Sequence, residues 1–287
     1  MDSLNFWVIQ TFNGVSYGAL LFLLGAGLSL IFGVMRIVNL AHGSYFLLGG
    51  YVALTVIWTT GSWVLSIPVA AVTIAVVGLL MERVFLRPLG FDPLRQVLLT
   101  VGFAFLFQQA ALDIWTGNNF DINPPDALTD SIEVAGLFLP LYRVFMIATA
   151  LAIGIVLWLA MEKTRLGAQV RATVDDAQMA RGVGIDTSRI SMMIFSLGAF
   201  LAGLGGVIGG AFLGVYPGLD FEILPLAFAV VIIGGMGSLG GAAIGALIVG
   251  LADNFGKALF PEISYFTLYA PMALILAVKP TGLFGRE

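Results

Sequence analysis

The chain has 287 residues, of which 59% are hydrophobic and 10% charged, with a formal net charge of -4. A soluble domain carries about 25% charged residues, so this composition cannot cover an aqueous surface and leaves no stretch for a separate water-soluble core. There is no cysteine and a single histidine, which excludes disulfides, thiolate metal sites and cysteine nucleophiles, and no nucleic-acid partner is expected.

The N-terminus, Met1-Asp2-Ser3-Leu4, lacks a basic n-region and runs into a long apolar segment that reads as retained rather than cleaved. Apolar stretches able to cross a hydrocarbon core of about 30 Å follow in order: Phe6 to Phe32, Tyr45 to Trp58, Trp63 to Met81, Val97 to Trp115, Leu137 to Met161 and Ile190 to Tyr216. Another runs from Ile223 to Ala252, and a last one from Tyr265 to Val278. The Tyr45 and Tyr265 stretches are short for full spans. The expected fold class is therefore an all-α polytopic membrane protein, a single membrane domain over residues 1–287 with about seven to nine segments.

Basic residues fix the orientation. Arg83, Arg87 and Arg95 cluster in one connection and Lys163, Arg165, Arg171, Arg181 and Arg189 in another, and by the positive-inside rule both are cytoplasmic. Threading outward puts Arg36, Lys279 and Arg286 inside and leaves Arg143 and Lys257 outside, an N-out, C-in topology. The connection from Gly117 to Gly136 carries Asp121, Asp126, Asp130 and Glu133 without a basic residue, as suits an exterior loop, and Pro124-Pro125 forbids a regular helix there.

Glycine is abundant, 36 residues, and pairs such as Gly14/Gly18, Gly205/Gly209 and Gly241/Gly245 suit close helix packing in lipid. The run Gly234-Gly235-Met236-Gly237-Ser238-Leu239-Gly240-Gly241 interrupts a stretch of about 30 residues, or about 45 Å as helix, long for one crossing and short for two. A re-entrant pair of half-helices fits length and charge. Freed peptide groups at membrane depth are tolerated only beside protein or a water-filled cavity, so Gly234, Gly235, Gly237 and Gly240 are candidates to line a path; a purely structural turn is the alternative.

The connection 171–189 contains a short helix. Thr173 three residues before Asp176 resembles a capping box, and Ala177, Ala180 and Gly184 fall on one small-residue face with Asp175, Asp176 and Arg181 around it. Such a face suits insertion into another protein's groove, or is an ordinary solvated linker. Within the spans, Asn39 and His42 stand at i and i+3 and are able to share a helix face, Asn13 and Tyr17 follow Gln10 at i+3 and i+7, and Gln108 precedes Gln109 and Asp113. These polar groups line a cavity or bridge helices.

Enzyme chemistry is disfavoured. No GxxxxGK[ST] loop is present, the single Gly-Lys pair being Gly256-Lys257, and neither HExxH nor a nucleophile elbow occurs. Charges sit mostly at span ends, unlike the charged rings of ion channels or the buried carboxylates of proton pumps. Three readings remain: a permease energised by a separate ATPase, a self-sufficient secondary transporter or channel for a small uncharged or zwitterionic solute such as urea or an amide, and a non-transporting scaffold.

Nearly end to end, the chain resembles the permease subunits of branched-chain amino acid ABC importers of the hydrophobic amino acid uptake class. The resemblance rests on Phe12-Asn-Gly-Val-Ser-Tyr-Gly18, Val38-Asn-Leu-Ala-His-Gly43, Glu82-Arg-Val-Phe-Leu-Arg-Pro88, the Arg171 to Ile185 loop, the Gly234 to Gly241 run and Pro280-Thr-Gly-Leu-Phe-Gly-Arg286. It implies an inner-membrane permease half, with Asp176, Ala177, Ala180, Arg181, Gly184 and Ile185 docking two cytoplasmic ATPase subunits. It further implies a homologous second permease and an external substrate-binding protein that delivers an amino acid, with ATP bound by the partners and no cofactor by this chain.

Overall fold

The computed structural model describes residues 3–90, 92–134 and 136–285; Met1, Asp2 and Arg286 lie outside them. Eleven α-helices are present among the described residues: α1 (Ser3–Met35), α2 (His42–Thr60), α3 (Trp63–Leu80), α4 (Pro93–Trp115), α5 (Leu141–Lys163), α6 (Arg165–Asp175), α7 (Ala177–Gly182), α8 (Thr187–Leu213), α9 (Leu219–Gly234), α10 (Leu239–Leu259) and α11 (Ser264–Val278). Six of them, α1, α3, α4, α5, α8 and α10, are long and apolar enough to cross a bilayer. The protein is a multi-pass, all-α membrane protein.

Helix starts follow local capping chemistry. The side chains of Ser62, Asp92, Thr164, Asp186 and Ser238 each accept from a backbone N–H two or three residues into the helix that follows, satisfying donors that a first turn leaves unpaired. The stretch expected to be helical from Leu137 instead opens with strand β2 (Leu137–Pro140), antiparallel to β1 (Ser131–Val134). Gly136, at φ 78°, makes the hairpin turn, and α5 starts only after Pro140.

The helices form a bundle with α1 at its centre. Gly14 lies against Leu251, Gly18 against Ala246 and Gly33 against Gly237, so α1 and α10 run antiparallel with almost no side chain between them. Gly27 lies against the Gly198 carbonyl of α8, where an added Cβ would stand 2.7 Å from that oxygen. Close backbone approach lets dispersion replace the hydrophobic force that lipid removes. One end of the bundle gathers Met35, Lys163, Thr187 and the glycine corner after α9, and is called the basic end. The other holds the β-hairpin, Trp63 against Tyr142, and the Phe120–Val215 bridge, and is called the hairpin end.

Two helices begin at half-height. After α1 ends at Met35, Arg36 takes a left-handed φ of 53° and residues 36–41 climb back into the bundle. The His42 Nε2 atom reaches the Leu24 carbonyl at 3.0 Å, eleven residues or about 16 Å of helix above the end of α1. The chain after α8 likewise descends, from Val215, against Gly50, to the first turn of α9, where Asp220 lies against Gly43. The glycine run is therefore the corner of an α9–α10 hairpin at the basic end, not a break at mid-height. Gly234 packs on Gly241, Gly235 (φ 96°) on Gly285, and Gly237 (φ 82°) on Gly33, which accounts for a glycine at each of these positions.

Candidate translocation site and docking loop

The amino ends of α2 and α9 meet inside the bundle. Asn39 is not on a helix face with His42: it sits in the extended segment, fully buried, and its Oδ1 accepts from Ala41 N at 3.1 Å. This is an Asx-type cap that helps set the start of α2 at His42. One turn on, Ser44 Oγ donates to Asp220 Oδ2 at 2.9 Å, and Gly43 lies against the Asp220 carbonyl and Leu224. Asp220, only 2% exposed, lies in the first turn of α9, where a carboxylate is favoured by the helix dipole.

Among the described residues, three polar atoms here have no hydrogen-bond partner: Asn39 Nδ2, His42 Nδ1 and Asp220 Oδ1. Buried polar groups are normally paired because desolvation costs about 1–3 kcal/mol each, so this junction is the bundle's most concentrated store of unmet polarity. Sequence reading found Asn39 and His42 but missed Ser44 and Asp220. Asp220 falls between two apolar stretches and reads as a loop residue; only the descent of the chain after α8 takes it to mid-height. Most charges are expected at span ends, and Asp220 is an exception to that pattern.

The other polar candidates separate into places. Asn13 and Tyr17 of α1 lie nearer the hairpin end, where the Arg143 guanidinium donates to Asn13 Oδ1 and stands over the Phe212 ring at 5.2 Å. Lys257 pairs with Asp253 at 2.8 Å and stands 5.7 Å from the Tyr17 ring centroid. The two basic residues expected on the side opposite the basic clusters thus gather around one face of α1. Gln108 is half-buried on α4, apart from both groups. Gly240 has open space where a Cβ would sit.

At the basic end, α6 and α7 make up the connection that holds the candidate docking residues. The capping residue is Asp176 itself: its Oδ1 accepts from Gln178 N at 2.8 Å and Met179 N at 2.9 Å. Thr173 lies inside α6, buried, with its hydroxyl donating to the Gln169 carbonyl, so it opens no helix. Gly184, at φ 89°, closes the turn, and Ile185 N donates to the Ala180 carbonyl at 2.9 Å. The small-residue face is presented outward only at Gly184, which is exposed. Ala180 is buried and Ala177 half-buried, whereas Met179 (66%) and Val183 (71%) are exposed beside Arg181. Small side chains let this short helix pack on its own subunit and push the larger apolar ones out.

Residues 10–276 match the family model described as branched-chain amino acid transport system / permease component. The chain is 31% identical to the high-affinity branched-chain amino acid transport system permease protein LivH of Escherichia coli (strain K12), over 98% of this chain and 96% of that one. It is 27% identical to the corresponding protein BraD of Pseudomonas aeruginosa, over 100% and 98%. A shorter match, 29% identical over 66% of this chain and 56% of the relative, is to the autoinducer 2 import system permease protein LsrC of Escherichia coli O9:H4. No solved structure matches. With the model match covering nearly its whole length, the chain belongs to the branched-chain amino acid transport permease family, a family of transport permeases and not of enzymes.

Proposed function

We propose that the chain is a permease subunit of an ATP-driven importer for branched-chain, hydrophobic amino acids in a bacterial inner membrane, and that it forms half of the translocation pathway beside a homologous second permease. The near full-length similarity to permeases of branched-chain amino acid transport systems carries this reading. Two cytoplasmic ATPase subunits dock on residues 171–189 and supply the energy, and an external binding protein delivers the substrate. Nine segments, α1–α5 and α8–α11, cross or enter the bilayer with the N-terminus out and the C-terminus in, an arrangement supported by basic residues at one end of the bundle. The α2–α9 junction, with His42, Asn39, Ser44 and Asp220, is the gate at mid-depth, and the glycine corner holds the basic end closed.

Reconstitution tests this. In liposomes, the chain with its ATPases, second permease and binding protein takes up labelled leucine only when ATP is supplied, and the chain alone takes up none. Uptake by the chain alone would instead establish a self-sufficient transporter. The similarity to an autoinducer 2 permease makes substrate the finer question, answered by calorimetry of leucine, isoleucine and valine against the binding protein.

A further inference from the structure

Between α1, α5 and α10 runs an apolar groove of about 370 Å³. Gly18 and Phe22 form its floor, Ile147, Gly154 and Trp158 one wall, and Ala243 the other. Its α5 wall runs twelve residues, from Ile147 to Trp158, about 16 Å, half the depth of a hydrocarbon core of about 30 Å. The groove runs toward the basic end, where Lys163 Nζ stands 5.9 Å from the Trp158 ring centroid at the groove's mouth. Neighbouring Glu162 faces Arg171, and neither Lys163 nor Arg165, both exposed, has a carboxylate partner among the described residues. On the opposite wall, Gly240 lies one turn before Ala243 with open space beside it, so the mouth is not closed by a side chain there.

We propose that this groove is a lipid site holding one acyl chain of an anionic phospholipid from the leaflet at the basic end, with the headgroup phosphate met by Lys163 and Arg165. Three features select this occupant. A neighbouring helix is about 10–12 Å across and needs the full depth of the bilayer, whereas the groove has half that depth. Its lining side chains are apolar apart from the Trp158 indole and carry no charge to meet a solute such as an amino acid. Its mouth combines a tryptophan of the kind that sits at headgroup level with Lys163 over its ring and Arg165 two residues further along the chain, neither with a carboxylate partner among the described residues, a charge pattern that attracts anionic lipid.

Native mass spectrometry of the full-length chain, purified in detergent with dioleoylphosphatidylglycerol or dioleoylphosphatidylcholine, tests the site. The wild type should retain one phosphatidylglycerol per chain in preference to phosphatidylcholine. Gly154→Leu, which fills the groove against Phe22, should lower retention of both lipids. Lys163→Gln with Arg165→Gln should keep retention but reduce the headgroup preference by about fivefold per charge removed. Retention unchanged by Gly154→Leu, or a preference unchanged by the double charge variant, overturns the proposal. So does a lipid-free dimer crosslinked through Gly154→Cys, which would assign the groove to a second copy. If Gly154→Leu does not accumulate, the charge variant decides, because both side chains lie on the surface.

Discussion

Ser44 and Asp220 are 176 positions apart in sequence and joined by one hydrogen bond of 2.9 Å. Removing its donor leaves a buried carboxylate with both oxygens lacking a side-chain partner, at a cost of about 1–3 kcal/mol. Ser44→Ala is therefore expected to lower the melting temperature of the detergent-solubilised protein, while Asp220→Asn, which still accepts from Ser44, lowers it less. Equal melting temperatures for Ser44→Ala and wild type would show that the bond does not hold the two helix starts together. At this scale the sequence was half legible. The polarity of Asn39 and His42 stood out against apolar flanks, but their pairing with Leu24, Ala41 and the neighbourhood of Asp220 depends on how far each chain segment re-enters the bundle. Hydropathy measures what a residue prefers, not the depth at which a helix begins.

Among the elements, α7 shows that a face read from spacing need not be exposed along its whole length. Ala177, Ala180 and Gly184 do share a side of the turn, but Ala180 is buried and Met179 and Val183 face out. A small face is equally suited to packing inward on its own subunit, and spacing alone carries no sign. The expected docking contacts follow the exposed side. Val183→Cys should crosslink to an ATPase subunit in the assembled transporter and Ala180→Cys should not; the reverse pattern would return the small face to the interface. Asp176→Ala removes the cap and should cost the loop helix about 1 kcal/mol, read as faster hydrogen exchange over residues 177–182. The glycine run was legible as a place where the helix must break, because its residues tolerate positive φ. Its position at the end of the hairpin was not, since 16 residues of α9 before it and 21 of α10 after it set where that corner lies.

For the whole molecule, the order of apolar stretches anticipated the order of the long helices, because lipid demands about 20 apolar residues for each crossing whatever their partners. The irregular entries into α2 and α9 escaped that rule, being buried in protein rather than facing lipid. Orientation is directly measurable, because the chain has no cysteine of its own. Glu133→Cys in the β-hairpin should react with a membrane-impermeant maleimide on intact cells, and Gln178→Cys in α7 only after the membrane is opened. Labelling of both on intact cells, or of Gln178→Cys alone, would reverse or break the N-out, C-in assignment.

The glycine contacts of α1 also impose an order on biogenesis. Gly14, Gly18, Gly25, Gly27 and Gly33 lie against residues of α8, α9, α10 or the corner between them, all in the last third of the chain. The helix that leaves the ribosome first must wait in the bilayer, its grooves facing lipid, until partners about 170 to 240 residues later have been inserted. A chain that stalls before α8 has its first helix in the membrane with α5 as a neighbour but without α8, α9 and α10, which makes the centre of the finished fold the last part to be completed during synthesis.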